Sequence, residues 1–174
     1  YFLAYGADIP INFNRDILKL YNVKEYDFSL VLARLEPENS IEVILEGFLS
    51  SKTNNSIIVI GNHETNYGKK LKNMFLSNKN IRFVGGVYLK EHLDVLRKYA
   101  KFYFHGHTVG GTNPSLLEAM SVGANIVAHD NPFNRSVLED CGAYFENSVD
   151  IENIIVYEVQ RDSDKRRGEC IETK

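Results

Sequence analysis

The stretch Phe102–Gly123, FYFHGHTVGGTNPSLLEAMSVG, reads as a short apolar strand, a glycine-bearing loop and a helix. Asn113 fits the N-cap, where its side chain accepts a hydrogen bond from a first-turn amide that has no other partner. Pro114 fits the next position, having no amide to leave unpaired. Gly110 and Gly111 let the backbone approach a ligand, and the free amides at the positive helix end favour an anion. Together these residues describe a phosphate site. Glu118 stands one turn further on among Leu116, Leu117, Ala119 and Met120. A carboxylate on so crowded a helix needs a protein donor or the hydroxyls of a ligand. A plain capped core helix with Glu118 at its exposed edge accounts for the same letters equally well.

Outward from this stretch, buried-looking runs alternate with helical ones. Phe2 to Ala7 is expected to be a first strand, followed by a break at Asp8-Ile9-Pro10 and a short helix over Arg15 to Tyr21. Phe28 to Ala33 is rich in β-formers without polar alternation, which predicts a strand buried on both faces. A helix over Ser40 to Leu49 follows, with Ser40 as its cap, then a strand over Ile57 to Ile60 ending at Gly61-Asn62. Tyr67 to Leu76 is read as a helix with Leu71, Met74 and Phe75 inward, and Ile81 to Val84 as a strand ending at Gly85-Gly86. After a helix over Glu91 to Tyr99 come the strand Phe102 to Phe104, the quoted loop and helix, and a strand over Asn125 to Ala128. Asn134 to Glu139 (helix), Ala143 to Phe145 (strand) and Ile151 to Val159 (helix) complete the order. Such alternation means crossover units: an α/β fold, doubly wound, with a mostly parallel sheet and helices on both faces.

With 174 residues and 44% hydrophobic content, one sizeable core is the default. The net charge of -3 leaves no electrostatic footprint for nucleic acid, and the one basic run, Lys165-Arg166-Arg167, reads as a solvated tail. Cys141 and Cys170 make no disulfide framework, no secretory signal is visible and no apolar run has spanning length. A cytoplasmic location is expected, with peripheral association at the inner face of the cell membrane left open. The chain opens at Tyr1 inside YFLAYGA without an initiator Met, as expected of a piece of a longer protein.

Ligands of doubly wound sheets sit beyond the carboxyl ends of the strands. Those ends carry Arg34, Gly61-Asn62, Gly85-Gly86, the loop from Gly106 to Asn113 and the segment after Ala128. Arg34 is the natural partner of a phosphate on the glycine loop, because its fork matches phosphate oxygens; an ion pair with Glu36 or Glu38 is the alternative. His105 and His107 form an H-x-H pair with no third metal ligand nearby, so hydrogen bonding in an active site is expected of one and packing of the other. His63, His92 and His129 are expected to be structural or solvent-facing, although His129-Asp130 follows a strand and is placed to border the cleft.

The phrase GGTNPSLLEAMSVGANIVAHDNPFNRSVLED, with VLARLEPENSIEVILEGF upstream, resembles the carboxy-terminal, donor-binding half of the retaining nucleotide-sugar glycosyltransferases of the GT-B fold, also called group 1. Within them it is most similar to bacterial rhamnosyltransferase-type members that build surface polysaccharide. The likeness runs from about Tyr26 to Phe145, and Tyr5-Gly6-Ala7-Asp8 resembles the entry to the second domain. It implies a donor-binding domain over 1–160, a polar tail over 161–174 and a separate amino-terminal acceptor domain. By resemblance, Glu118 matches the second Glu of the E-x7-E motif, which binds the ribose hydroxyls. Gly110, Gly111 and Thr112 match the loop whose backbone amides meet the donor diphosphate and sugar, with the cap Asn113 also counted among the donor-binding positions, and Arg34 matches the phosphate-binding Arg. Gly85 to Tyr88 would lie beside the nucleobase, with Val87 as a backbone contact and Gly61-Asn62 bordering the cleft. Two positions depart from the pattern: Gly110 stands where the first Glu is usual, and Asn39 where a Lys is usual. A subgroup compensating through His105 or His107 accounts for both; weakened donor binding is the other account.

The resemblance implies transfer of a sugar, with rhamnose one candidate, from a dTDP- or UDP-sugar to a saccharide or lipid-linked saccharide, with retention and without a required metal. Fixed amides, a helix end and Arg34 would stabilise the departing phosphate. A non-catalytic nucleotide-binding or regulatory module of the same fold is the competing expectation. A nicotinamide-dependent oxidoreductase is disfavoured, since no G-x-G-x-x-G turn follows a first strand.

Overall fold

Phe28–Leu32 forms β1 near the middle of a six-stranded sheet in the computed structural model, which describes residues 6–109, 111 and 113–158. The other strands are β2 (Ser56–Ile60), β3 (Ile81–Gly85), β4 (Phe102–His105), β5 (Ile126–His129) and β6 (Ala143–Phe145). Their order is β3-β2-β1-β4-β5-β6 and every pairing is parallel. Order reverses between β1 and β4, and this is where a doubly wound sheet opens a crevice at its carboxyl edge.

Side chains leaving the strands on alternate sides build two cores. One face carries Phe28, Leu30, Ile58, Ile60, Tyr103 and Ala128, covered by α1 (Asp16–Leu20), α4 (Lys90–Tyr99), α5 (Pro114–Ser121) and Leu138 of α6 (Pro132–Leu138). The other carries Val31, Ile57, Val59, Phe102, Phe104 and Val127. It is covered by α2 (Ile41–Ser50), α3 (Asn66–Phe75) and Ile151 and Ile155 of a helix over residues 148–158. Complete burial of each such side chain contributes roughly 1.5–3 kcal/mol, so the two-sided core explains why β1 shows no polar alternation.

Several expectations need correction. Gly6 and Ala7 lie in no strand, while the rest of the expected first strand falls outside the described residues, as do Val159 and the tail 161–174. Ser40 precedes α2 in the left-handed region (φ 48, ψ 30) and its side chain makes no capping bond; the 3-10 turn Pro37–Asn39 leads into the helix instead. Met74 is exposed rather than inward, since the face defined by Gly68, Leu71 and Phe75 already fills the contact with the sheet. Asn113, in contrast, caps α5 as expected, accepting from the Ser115 amide at 2.9 Å with Pro114 next.

Candidate donor site

Three cavities open along the carboxyl edge of the strands. The first, ≈ 330 Å³, lies at the switch point and is bordered by Arg34, Asn39, His105, His107, Asn113 and Arg97. The second, ≈ 370 Å³, runs along the ends of β1, β2 and β3 past Gly61, Asn62, Gly86, Val87 and Tyr88. The third, ≈ 300 Å³, lies between Glu118 and Pro114 of α5, Lys90 of α4 and the segment Gly6-Ala7-Asp8. Arg34 borders both of the first two.

Close backbone approach makes this edge possible. A Cβ on Gly61 would collide with the Ala33 carbonyl, so only glycine lets the chain leave β2 against the end of β1 and bring Asn62 to the second cavity. A Cβ on Gly106 would collide with the Asn39 carbonyl. With glycine there, the loop after β4 docks on the 3-10 turn, and Thr108 donates to the Glu38 carbonyl from both its amide (2.9 Å) and its hydroxyl (3.0 Å). Packing places no such demand on Gly111, around which a Cβ would meet nothing within 4 Å.

The docked turn carries Asn39, which is only 6% exposed. Its amide nitrogen donates to the Arg34 carbonyl at 2.8 Å, which fixes the orientation of the amide. The oxygen therefore faces His107 Nδ1 at 3.0 Å, and His107 must donate from Nδ1. A neutral His107 then carries its free lone pair on Nε2. The carbonyl of His107 is held by the side-chain amides of Asn131 and Asn134, each at 3.0 Å, and Asn134 also donates to the His129 carbonyl at 2.9 Å.

The second histidine behaves differently. His105 ends β4 at 4% exposure, and among the described residues its Nε2 has no hydrogen-bond partner. Burial, reinforced by His107 and Arg97, lowers its pKa to about 4, so its ring is neutral at neutral pH. Both histidines border the first cavity; His107 is held there by Asn39, while His105 is nearly fully buried.

Arg34 extends from the end of β1 with its side chain 78% exposed, 3.6 Å from Glu38. The anticipated ion pair is present, but at that length and exposure it holds the guanidinium weakly, and a phosphate would compete well for it. Asn62 Oδ1 accepts from the Glu64 amide at 3.0 Å, shaping the turn after β2. His129 and Asp130 line none of these three cavities, and Asp130 is held by Arg135 at 2.5 and 2.6 Å. Gly110 and Thr112 lie outside the described residues.

Glu118 has the protein donor its crowded helix demanded. Its Oε2 lies 2.5 Å from Nη2 of Arg97, a residue of α4 that the sequence reading passed over. The signal was available: Leu93, Leu96, Arg97 and Ala100 follow the i, i+3, i+4, i+7 spacing of an inward face, so a charge occupies an apolar position.

The same architecture recurs in solved proteins. The chain superposes on Anabaena Alr3699/HepE in complex with UDP and glucose with a TM-score of 0.75 at 20% identity, covering 92% of this chain and 47% of that one. Sucrose-phosphate synthase from Thermosynechococcus elongatus gives 0.72 at 16% identity, covering 89% and 42%. TarM gives 0.67 at 19% identity, covering 91% and 32%. The chain thus spans less than half the length of each of these relatives, and identities this low speak for the fold alone. No curated protein matches it in sequence. The family profile described as "Glycosyl transferases group 1" matches residues 13–155, which include both cores and all three cavities apart from Gly6-Ala7-Asp8, and the chain belongs to that family.

Proposed function

We propose that this chain is the donor-binding half of a sugar transferase that takes UDP- or dTDP-activated sugar and passes it, with retention, to a saccharide hydroxyl in surface polysaccharide synthesis. The observation that carries the reading is the placement of Arg34 between two cavities at the switch point, with Glu118 beside a third. The base would lie along Gly86-Val87-Tyr88, the diphosphate between Arg34 and the amide end of α5, and the ribose hydroxyls at Glu118. That the neighbour from Anabaena is described in complex with UDP and glucose supports a nucleotide sugar as the ligand class.

The chemistry follows from charge. As the bond from the anomeric carbon to the diphosphate oxygen breaks, the electron pair leaves with the phosphate while the acceptor oxygen bonds the same carbon and its proton passes to the departing diphosphate. Arg34 and the helix-end amides meet the growing negative charge. His107, oriented by Asn39, offers Nε2 to a sugar hydroxyl, a contact that would take up part of the role of the side chain missing at Gly110. Acceptor recognition is assigned to a further, amino-terminal domain, and association with the inner membrane face to the whole protein.

Calorimetric titration with UDP, dTDP, GDP and NAD tests the reading. One nucleoside diphosphate should bind, and Arg34→Ala should weaken it by about 1.5–3 kcal/mol, roughly tenfold to a hundredfold. Glu118→Gln serves better than Glu118→Ala, because the amide keeps the side chain's shape and an oxygen that can accept from Arg97, whereas truncation removes that acceptor altogether. Equal binding of NAD, or indifference to Arg34→Ala, would sink the proposal. Retained binding without transfer by the full-length protein, across several UDP- and dTDP-sugars, would favour the non-catalytic module.

A further inference from the structure

Arg97 is the largest side chain in the fully buried set, and little in the fold itself calls for its charge. Among the described residues, only Nη2 is hydrogen-bonded, to Glu118 Oε2 at 2.5 Å and to Ser115 Oγ at 3.2 Å, while Nε and Nη1 have no hydrogen-bond partner there. Asp94 approaches Nη1 only to 3.7 Å, and its other oxygen is held by Lys90 at 2.7 Å. The guanidinium carbon lies 6.0 Å from the centre of the Tyr103 ring, whose hydroxyl meets Ser115 Oγ at 2.8 Å. Desolvating a guanidinium for one good ion pair adds little to stability, and an apolar side chain of similar volume would fill the site more cheaply. What the arrangement does achieve is to fix one carboxylate.

We infer that Arg97 is a positioning residue: by holding Glu118 Oε2 it aims Oε1 at the cavity shared with Pro114, Lys90 and Asp8, so that the free sugar hydroxyls of a nucleoside diphosphate meet a preoriented acceptor. The inference rests on the donor reading above and assigns to Arg97 a task within it. Among the described residues, Oε2 is the only oxygen of this carboxylate with a recorded partner, and the side chain is 38% exposed, so Oε1 is available to a ligand. Arg97, 2% exposed, does not line this third cavity, although it borders the first, and its effect on the ribose runs through Glu118.

The test compares nucleotides that differ only at the ribose. The better binder of UDP and dTDP is titrated against its 2′,3′-dideoxy counterpart, which lacks both ribose hydroxyls of UDP or the single 3′-hydroxyl of dTDP, using the whole chain. The wild-type protein should prefer the hydroxylated form by about tenfold or more, the usual effect of hydrogen bonds to a charged acceptor. Arg97→Lys, which keeps a charge but not the planar fork, and Arg97→Met should both bring that ratio close to one while leaving affinity for the dideoxy form nearly unchanged. If Arg97→Met fails to fold, Arg97→Lys alone decides. An unchanged ratio in the variants, or an equal loss for both nucleotides, would reduce Arg97 to a packing role and overturn the inference while the donor reading stands. A wild-type protein that binds no nucleoside diphosphate would overturn both.

Discussion

Asn39 Oδ1 lies 3.0 Å from His107 Nδ1 while the amide nitrogen of the same residue donates to the Arg34 carbonyl at 2.8 Å. Three positions picked from the sequence as ligand contacts are therefore joined in one bracket that spans the switch point between β1 and β4. Where a cation is usual in the related pattern, this chain has a neutral side chain whose recorded hydrogen bonds are both internal. The amide does not neutralise phosphate; it fixes the tautomer of the histidine beside the cavity.

That arrangement predicts the outcome of restoring the cation. Asn39→Lys should not tighten nucleotide binding, since the variant loses both bonds, to the Arg34 carbonyl and to His107 Nδ1, that brace this end of the cavity. A stability loss of about 1–3 kcal/mol is expected in urea titration, similar to Asn39→Ala. Tighter UDP binding by the lysine variant would show that the position is a phosphate site after all.

The two glycines of the loop should separate by mechanism. Gly106→Ala forces a methyl into the Asn39 backbone and should cost about 1–3 kcal/mol in folding. Gly111→Ala meets nothing within 4 Å and should change folding by less than about 0.5 kcal/mol. If the open space beside Gly111 is where donor phosphate approaches, that alanine should still weaken nucleotide binding, a combination readable from one denaturation curve and one titration.

The fold was legible because burial on both faces leaves a plain mark: SIIVI and FYFH have no polar alternation, and glycine or asparagine closes several of the strands. The place of the candidate cavities followed from that topology, and the cap at Asn113 from local chemistry. Tertiary geometry hid the rest. Ser40 looks like a cap, but the entry from the 3-10 turn puts it in a left-handed conformation where its hydroxyl cannot serve. Met74 fits an inward stripe, but Leu71 and Phe75 occupy that contact. Arg97 and Glu118 are 21 residues apart on different helices, and a long-range pair of this kind has no local signature beyond a charge at an apolar position.

Burial of His105 makes stability depend on pH in a defined window. Its folded pKa is lowered from 6.5 to about 4, so between these values the unfolded chain binds more protons than the folded one. Its contribution is complete above the unfolded pKa, declines as pH falls through the window and is gone below the folded pKa. At about pH 5 the loss relative to pH 7 should be on the order of 2 kcal/mol, measured as a drop in urea midpoint. His105→Phe should remove this part of the pH dependence; an unchanged profile would mean that the ring is not the group responsible.

Asn134 offers the sharpest test of how the His107 loop is held. It is 3% exposed and points one amide nitrogen at two carbonyls, those of His107 and His129. Asn134→Ala removes one donor from each of these carbonyls, leaving them to Asn131, and should cost about 1 kcal/mol. Asn134→Asp should cost more near neutral pH despite its nearly identical shape, because a carboxylate would face two carbonyl oxygens. Desolvation and those dipoles should raise the pKa of the new acid above its unfolded value, near 3.9. Protonation would restore one donor, so the deficit of Asn134→Asp relative to Asn134→Ala should shrink as pH falls and grow as pH rises through the folded pKa. Parallel unfolding curves for the two variants across that range would show that the amide is not holding the loop in this way.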